Sequence, residues 1–263
     1  MAKVSVVTQD KVRPAPLPEG YAGNAGTAAY LDGGNDPLHL YLHTVEPGET
    51  LRIGPRSIDT LAYVWKGAVE AGGLRLAAGS SLLIEHGESL TITGGETPSQ
   101  VLSFTAANPP ADARAGGHVH LLPADRVPRI GELGDSGVGG GMHYDSACPT
   151  CEIWLHENHF GPTEPMTPEQ EKLGVHCHSE DEIIFVTDGQ IRLGQKLCGP
   201  GTALAIAADT MYSFTPGPEG LSFINFRAGT PGDIQFANGM TISETGYWQE
   251  KLGKRPEYLE PVG

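Results

Sequence analysis

The chain has 263 residues, 39% of them hydrophobic and 19% charged, with 36 Gly and 21 Pro. This allows one large domain or two small ones and excludes a disordered or collagenous chain. The formal net charge of −15 argues against nucleic acid or an anionic membrane as partner, because a phosphate-binding face must be basic. The start, MAKVSVVTQDKVRPAP, lacks an apolar signal core, and apolar runs such as Ile183–Val186 fall far short of the ~20 residues that span a bilayer. The expectation is a cytoplasmic monomer or homodimer acting on a small molecule, whose four cysteines are not a disulfide framework.

In chain order, short β-rich runs recur every 8–12 residues: Leu38–Thr44, Thr60–Trp65, Ser81–Ile84, Val101–Thr105, Glu152–Phe160, Glu182–Thr187, Ala203–Ala207 and Leu221–Arg227. Gly, Pro, Asn or Asp separates most of them. The pattern predicts an all-β chain of antiparallel sandwiches or barrels. Helical periodicity is hard to find; Pro165–Leu173 offers one or two turns, with Thr167 as N-cap and Pro168 at the first helical position. Asn108–Gly117 reads as a linker, and residues 131–141 (GELGDSGVGGG) as a flexible surface loop.

The sequence repeats itself at an offset of 122 residues. Asp59 pairs with Asp181, Val64 with Val186, Gly67 with Gly189, Gly72 with Gly194, Gly79 with Gly201, Ile84 with Ile206 and Phe104 with Phe226. Repeating glycines mark turns that need positive φ or close backbone approach. Two copies of one β unit follow, with domains expected at 1–120 and 121–263. Leu42-His43 aligns with Leu155-His156 at an offset of only 113. The second copy therefore carries an insertion within Gly161–Leu173, just before the most chemical segment, where a lid is expected.

That segment holds His176, His178 and Glu182. Alternation along a strand points all three the same way if the strand continues, with the two His ~6.6 Å apart along it. Two imidazoles and a carboxylate with open positions make a facial triad of the non-haem iron type. His118-Val-His120 has the same His spacing, but Ala124 stands four residues on, so the pair reads as chance. Cys148-Pro-Thr-Cys151 suggests zinc, yet no second ligand pair is legible, and the thiols read as small buried hydrophobes.

The pattern His-x-His-x3-Glu-x6-Gly, carried by His176, His178, Glu182 and Gly189, resembles the first motif of the cupin superfamily. The second cupin motif keeps its spacing from Gly201, with Ala207, Asp209 and Tyr212 replacing its Pro, Gly and His; Gln170 replaces the leading Gly of the first. The resemblance covers roughly residues 25–245. It implies two tandem cupin jelly-roll barrels, a bicupin, with one divalent metal in the C-terminal barrel held by His176, His178 and Glu182. Fe(II) is the first choice, with Zn, Mn or Ni possible. The N-terminal copy has Gly54, Arg56, Thr60 and Leu90 at the matching positions and is expected to be metal-free.

Quercetinase-like and other ring- or C–C-cleaving cupin dioxygenases have related sites, so the resemblance implies a dioxygenase acting on a small oxygenated or aromatic substrate. A redox-neutral isomerase, lyase or cyclase, and a non-catalytic metal- or ligand-binding cupin, remain alternatives. Tyr212 is expected near the ion as acid/base or hydrogen-bond donor. Trp154, His156 and Asn158 share one strand face and Glu157 and His159 the other, with His156 expected in packing. Arg227 reads either as an anchor for an anion or as an exposed strand end.

Overall fold

The computed structural model describes residues 4–131, 138–163 and 174–262. Among the described residues it is all antiparallel β apart from one α-helix and short 3-10 turns, as the spacing of apolar runs and glycines predicts. Among the described residues no helix is long and apolar enough to cross a membrane.

Two compact units divide the chain. The N-terminal unit comprises 12–127, 146–153 and 256–263, and the C-terminal unit 1–11, 128–145 and 154–255. Four segments thus depart from a simple cut after residue 120: 1–11, 121–127, 146–153 and 256–263. The first strand, Val4–Val7, belongs to the C-terminal unit, because its register pairs it with Ala203–Ile206. Residues 146–153 and the end of the chain belong to the N-terminal unit, where Leu259 bridges Leu121.

In the N-terminal unit, a seven-stranded sheet runs in the order Val119–Leu122, Ser81–Ile84, Thr60–Lys66, Ser99–Ala106, Leu38–Val45, Gly26–Leu31, Arg13–Pro14. A five-stranded sheet contains Tyr21–Gly23, Thr50–Ile53, Leu90–Gly94, Ala68–Ala71 and Leu74–Ala77. Leu51, Ile53, Val64, Leu76, Leu82 and Val101 form its dry core.

In the C-terminal unit, Glu182–Leu193 lies between Ala203–Ile206 and Thr215–Arg227, which is followed by Trp154–Phe160 and Val138–Asp145. A small sheet adds His176–Cys177, Asp233–Phe236 and Thr241–Ser243. Ile184, Val186, Leu204, Ile206, Leu221 and Phe223 form its core.

The repeat read from sequence is a repeat of backbone geometry. Gly67, Gly72 and Gly79 have φ of 78°, 55° and 86°, and Gly189, Gly194 and Gly201 have 66°, 58° and 79°. Asp59 Oδ1 accepts from the His86 amide at 2.8 Å, and Asp181 Oδ1 from the Ala208 amide at 2.9 Å. Asp209 keeps the left-handed backbone of its counterpart Gly87, with φ of 57° and 85°. Asp tolerates that region better than most residues.

Two expectations need correction. Residues 138–145 are a strand, although 131–141 read as a loop: the run Gly139–Gly141 pairs with Glu157–His159. A Cβ on Gly140 would lie 2.3 Å from the Glu157 carbonyl and 2.9 Å from the Trp248 ring, so the glycines permit close packing. The α-helix Glu244–Leu252, which carries no legible 3.6 period, forms at the end of the C-terminal unit. Ser243 caps its N-terminus by accepting from the Gly246 amide at 3.3 Å, and Gly253, with φ 64°, ends it. Residues 132–137 of the expected loop lie outside the described residues. So do residues 164–173, on which the expected helical turns of Pro165–Leu173 and most of the expected lid fall.

Candidate functional site: a buried charge cluster in the C-terminal unit

His176, His178, Glu182 and Tyr212 come together, but not along one continuous strand. His176–Cys177 pairs with Asp233–Phe236, the chain bends at Ser179–Glu180, and the long strand begins at Glu182. The same-face reading assumed an unbroken strand. The bend instead brings donors in from two sheets. The exchanged backbone hydrogen bonds of His176 and Tyr212, at 3.0 and 2.9 Å, fix the two residues side by side. Their rings lie 4.6 Å apart, and the rings of His176 and His178 5.1 Å apart.

The imidazoles are oriented by acceptors at their Nδ1 atoms. His176 Nδ1 lies 2.8 Å from the Gly174 carbonyl, and His178 Nδ1 lies 3.1 Å from Glu244 Oε2. The second contact is close but poorly aligned for a hydrogen bond. His178 Nε2 faces Glu182 Oε2 at 3.9 Å, a gap that an ion with bonds near 2 Å could span. Glu182 Oε2 accepts from Asn225 Nδ2 at 2.6 Å and Arg227 Nη2 at 3.1 Å. Glu182 Oε1 is buried without a hydrogen-bond partner among the described residues. A buried carboxylate oxygen left so costs free energy unless something else meets it. An unpartnered carboxylate oxygen beside two imidazoles is chemistry that suits a cation, although the donor atoms of His176, His178 and Glu182 do not all lie within 4.8 Å of one another.

Arg227 is fully buried, at 0% exposure, and is no exposed strand end. It also donates Nη1 to Glu244 Oε2 at 2.6 Å, so it bridges two buried carboxylates. Burial would raise the Glu244 pKa, but Arg227 and His178 outweigh it and hold the carboxyl down at about 2. Glu182 is likewise lowered by Arg227 and His178 against its burial. Tyr212 is pushed up by burial and then by the Glu182 carboxylate beside its hydroxyl, so its phenol stays protonated.

His176, His178, Tyr212, Arg227 and Glu244 line a cavity of about 260 Å³ whose apolar wall includes Phe160, Phe214, Phe223, Tyr247 and Trp248. His156 packs as expected: its Nδ1 accepts from Trp154 Nε1 at 2.8 Å and its ring lies 4.9 Å from Trp248. Burial holds its pKa down at about 3. Glu157 and His159 face the other way, where Glu157 pairs with His143 at 3.0 Å and with Arg129.

At the matching place in the N-terminal unit, Arg56 donates to Thr60 at 2.8 Å, and His43 contacts Ser103 at 2.9 Å and Thr27 at 2.9 Å. The Tyr21 hydroxyl donates to Ser103 at 3.1 Å. Hydroxyls there satisfy one histidine and one guanidinium, with no buried carboxylate among them.

Sequence reasoning missed Glu244, Asn225 and the burial of Arg227. A signal existed in the repeat: Thr60, Ser103 and Thr105 of the first copy become Glu182, Asn225 and Arg227 in the second. It also missed a group in the N-terminal unit. Among the described residues, the donor atoms that all lie within 4.8 Å of one another belong to Glu85, His120, Cys148 and Cys151. The cysteines are therefore not isolated small hydrophobes, and His120 is not a chance partner of His118.

The all-β units, with their repeated glycine turns and inward-facing polar strand positions, define a fold of the cupin type. No family model and no curated protein matches the sequence. Solved structures do match in fold. The chain resembles protein Ylba from E. coli (17% identity, TM-score 0.63, 86% of this chain and 90% of that one). It also resembles Bacillus subtilis oxalate decarboxylase OxdC (12% identity, TM-score 0.61, 93% and 80%). A third likeness is to salicylate 1,2-dioxygenase from Pseudoaminobacter salicylatoxidans, solved with gentisate (11% identity, TM-score 0.54, 74% and 71%). At these identities the likeness concerns the fold.

Proposed function

We propose that the C-terminal unit is the catalytic half of a metal-dependent bicupin enzyme, a non-haem dioxygenase acting on a small oxygenated or aromatic molecule. One observation carries the reading. Glu182 Oε1 is buried without a hydrogen-bond partner among the described residues, and two imidazoles stand beside it: His176, whose Nδ1 is engaged by the Gly174 carbonyl, and His178, whose Nδ1 lies 3.1 Å from the Glu244 carboxylate, which leaves each Nε2 for an ion. Fe(II) suits a pair of imidazoles and one carboxylate with open positions; Zn, Mn and Ni share the donor preference. Such an ion, when bound, polarises substrate oxygen and orients the reacting partners.

The chain's own groups have separate tasks. His176, His178 and Glu182 hold the ion. Arg227 and Asn225 keep the second oxygen of Glu182 in place, and Glu244 orients His178. Tyr212 holds its proton at the hydroxyl beside Glu182 and presents it to a bound substrate. The aromatic wall excludes water and admits a planar or small apolar body, and a cavity of about 260 Å³ limits its size.

The test is oxygen uptake by the Fe(II)-loaded protein with oxalate, salicylate, gentisate and related small hydroxy acids. These compounds are chosen because structures of similar fold are named for acting on them or were solved with them. Uptake that requires substrate and is lost in His178→Ala supports the proposal. Metal that stays bound in His176→Ala and His178→Ala alike would reject it.

A redox-neutral isomerase, lyase or cyclase is the second reading, favoured by the protonated Tyr212 buried beside an ionised Glu182. It predicts turnover that is equally fast without dioxygen.

A further inference from the structure

The N-terminal unit gathers a second, separate set of donors. Glu85 follows the strand Ser81–Ile84, and His120 lies in the adjacent strand Val119–Leu122, where Ile84 pairs with Val119. The Glu85 amide donates to the His118 carbonyl at 3.1 Å, which extends that ladder and sets Glu85 opposite His118, two residues from His120 on the same strand edge. Cys148 and Cys151 come from the segment 146–153, which belongs to the same unit.

Glu85 Oε1 is 2.8 Å from His120 Nε2, 2.7 Å from Thr150 Oγ1 and 3.8 Å from Cys148 Sγ. Cys148 Sγ is 3.7 Å from His120 Nε2. One imidazole, one carboxylate and two thiols thus crowd around one point, and both cysteines are buried and unbridged by a disulfide. Ligands of a tetrahedral ion with bonds of ~2.0–2.3 Å stand under ~4 Å apart; Glu85, His120 and Cys148 lie in that range of one another, and all four donors lie within 4.8 Å.

We infer that Glu85, His120, Cys148 and Cys151 form a structural zinc site. Two thiolates with an imidazole select a borderline-soft divalent ion, and four protein donors leave no open position for substrate. Cys-Pro-Thr-Cys supplies a two-residue knuckle, and Thr150 within it donates to the Glu85 carboxylate. Arg114 holds the knuckle from behind: Nη1 donates to the carbonyls of Ser146 and Cys151, each at 2.7 Å, and to that of Cys148. Two thiolates and a carboxylate around Zn²⁺ carry a net charge of −1, which the Arg114 guanidinium balances. The ring of Tyr258, 5.1 Å from His120, covers one side. The ion would tie residues 146–153 to the edge of the seven-stranded sheet.

The experiment replaces zinc by Co(II) in the full-length protein. Wild type should show the thiolate-to-cobalt charge-transfer band. Cys148→Ser and Cys151→Ser should lose it, while Cys177→Ser, Cys198→Ser and His178→Ala should keep it. Survival in His178→Ala separates this site from the C-terminal one, so either proposal can fail alone. If the cysteine variants do not fold, chelation of the zinc-containing wild type should accelerate alkylation at Cys148 and Cys151, read by peptide mapping. A wild-type spectrum without the thiolate band, alkylation unaffected by chelator, or a Cys148–Cys151 disulfide in protein prepared under reducing conditions would overturn the inference.

Discussion

The two units share a frame and differ in what the frame encloses. Gly67, Gly72 and Gly79 turn the first copy as Gly189, Gly194 and Gly201 turn the second, and Asp59 and Asp181 make the same backbone contact. At the interior positions Thr60, Ser103 and Thr105 of the first copy, the second has Glu182, Asn225 and Arg227. In one unit hydroxyls satisfy His43 and Arg56; in the other a buried guanidinium bridges two carboxylates that face two histidines. Turn geometry can thus be repeated while three side chains replace a self-satisfied interior by one with buried charges and an unpartnered carboxylate oxygen.

The largest expected effect lies at Arg227. Arg227→Leu leaves Glu182 and Glu244 buried without their shared partner and should cost ~3–5 kcal/mol in urea unfolding. Thr105→Val, its counterpart, removes a donor to the Asp59 carbonyl at 3.1 Å and should cost ~1 kcal/mol. Equal losses would break the contrast.

Acid should reveal the N-terminal interior. Burial holds the His43 pKa at about 4 against 6.5. The unfolded chain therefore binds a proton that the folded unit refuses, and stability falls as pH drops from 6.5 towards 4, by up to ~3 kcal/mol. His43→Gln should flatten that part of the profile. In the C-terminal unit His156, held at about 3 against 6.5, gives a similar loss as pH falls from 6.5 towards 3, and the Glu244 carboxyl, held at about 2 against 4.5, adds one as pH falls from 4.5 towards 2, so the His43 share is read as the difference between wild type and His43→Gln. An unchanged slope between pH 6.5 and 4 in His43→Gln would place the acid sensitivity elsewhere.

Tyr212→Phe should lower turnover by about 10²-fold with little change in bound metal, because it removes only the hydroxyl. Tyr212→His should bind metal more tightly and turn over more slowly, since an imidazole would occupy an open position; normal turnover in that variant would show that the open position is not required. The smallest effect is expected at His118. Its side chain is 48% exposed and 4.0 Å from Glu260, and its contact with the Glu85 carboxylate, at 3.0 Å, is made by the backbone amide that alanine keeps, so His118→Ala should leave metal content and activity unchanged.

Much of this frame is legible in residues. The strand Ser81–Ile84 and the starts of Leu38–Val45, Thr60–Lys66, Glu182–Leu193 and Ala203–Ile206 fall where apolar runs begin after turn residues. The glycine repeat announces the duplicated turns. Other features depend on long-range packing that leaves no local period. Glu244 enters the site from a helix with few apolar residues, 62 residues beyond Glu182 in the chain. Glu85 and His120 meet through pairing of neighbouring strands, and the cysteines join them from a segment interposed between two strands of the other unit. A Cys-x-x-Cys pair looks incomplete in sequence because its remaining donors arrive one at a time, without a motif. The glycine run 139–141 read as loop because its purpose is visible only beside Trp248.

The central claim is that the duplicated fold holds a metal through His176, His178 and Glu182 in the second copy. Its most direct test is elemental analysis of a Cys148→Ser/Cys151→Ser background, in which thiol-bound zinc cannot contribute. The account predicts about one transition-metal ion per chain in that background and near-complete loss when His178→Ala is added. Retention of the metal after that addition, or a metal-free background that binds no added Fe(II), would contradict it.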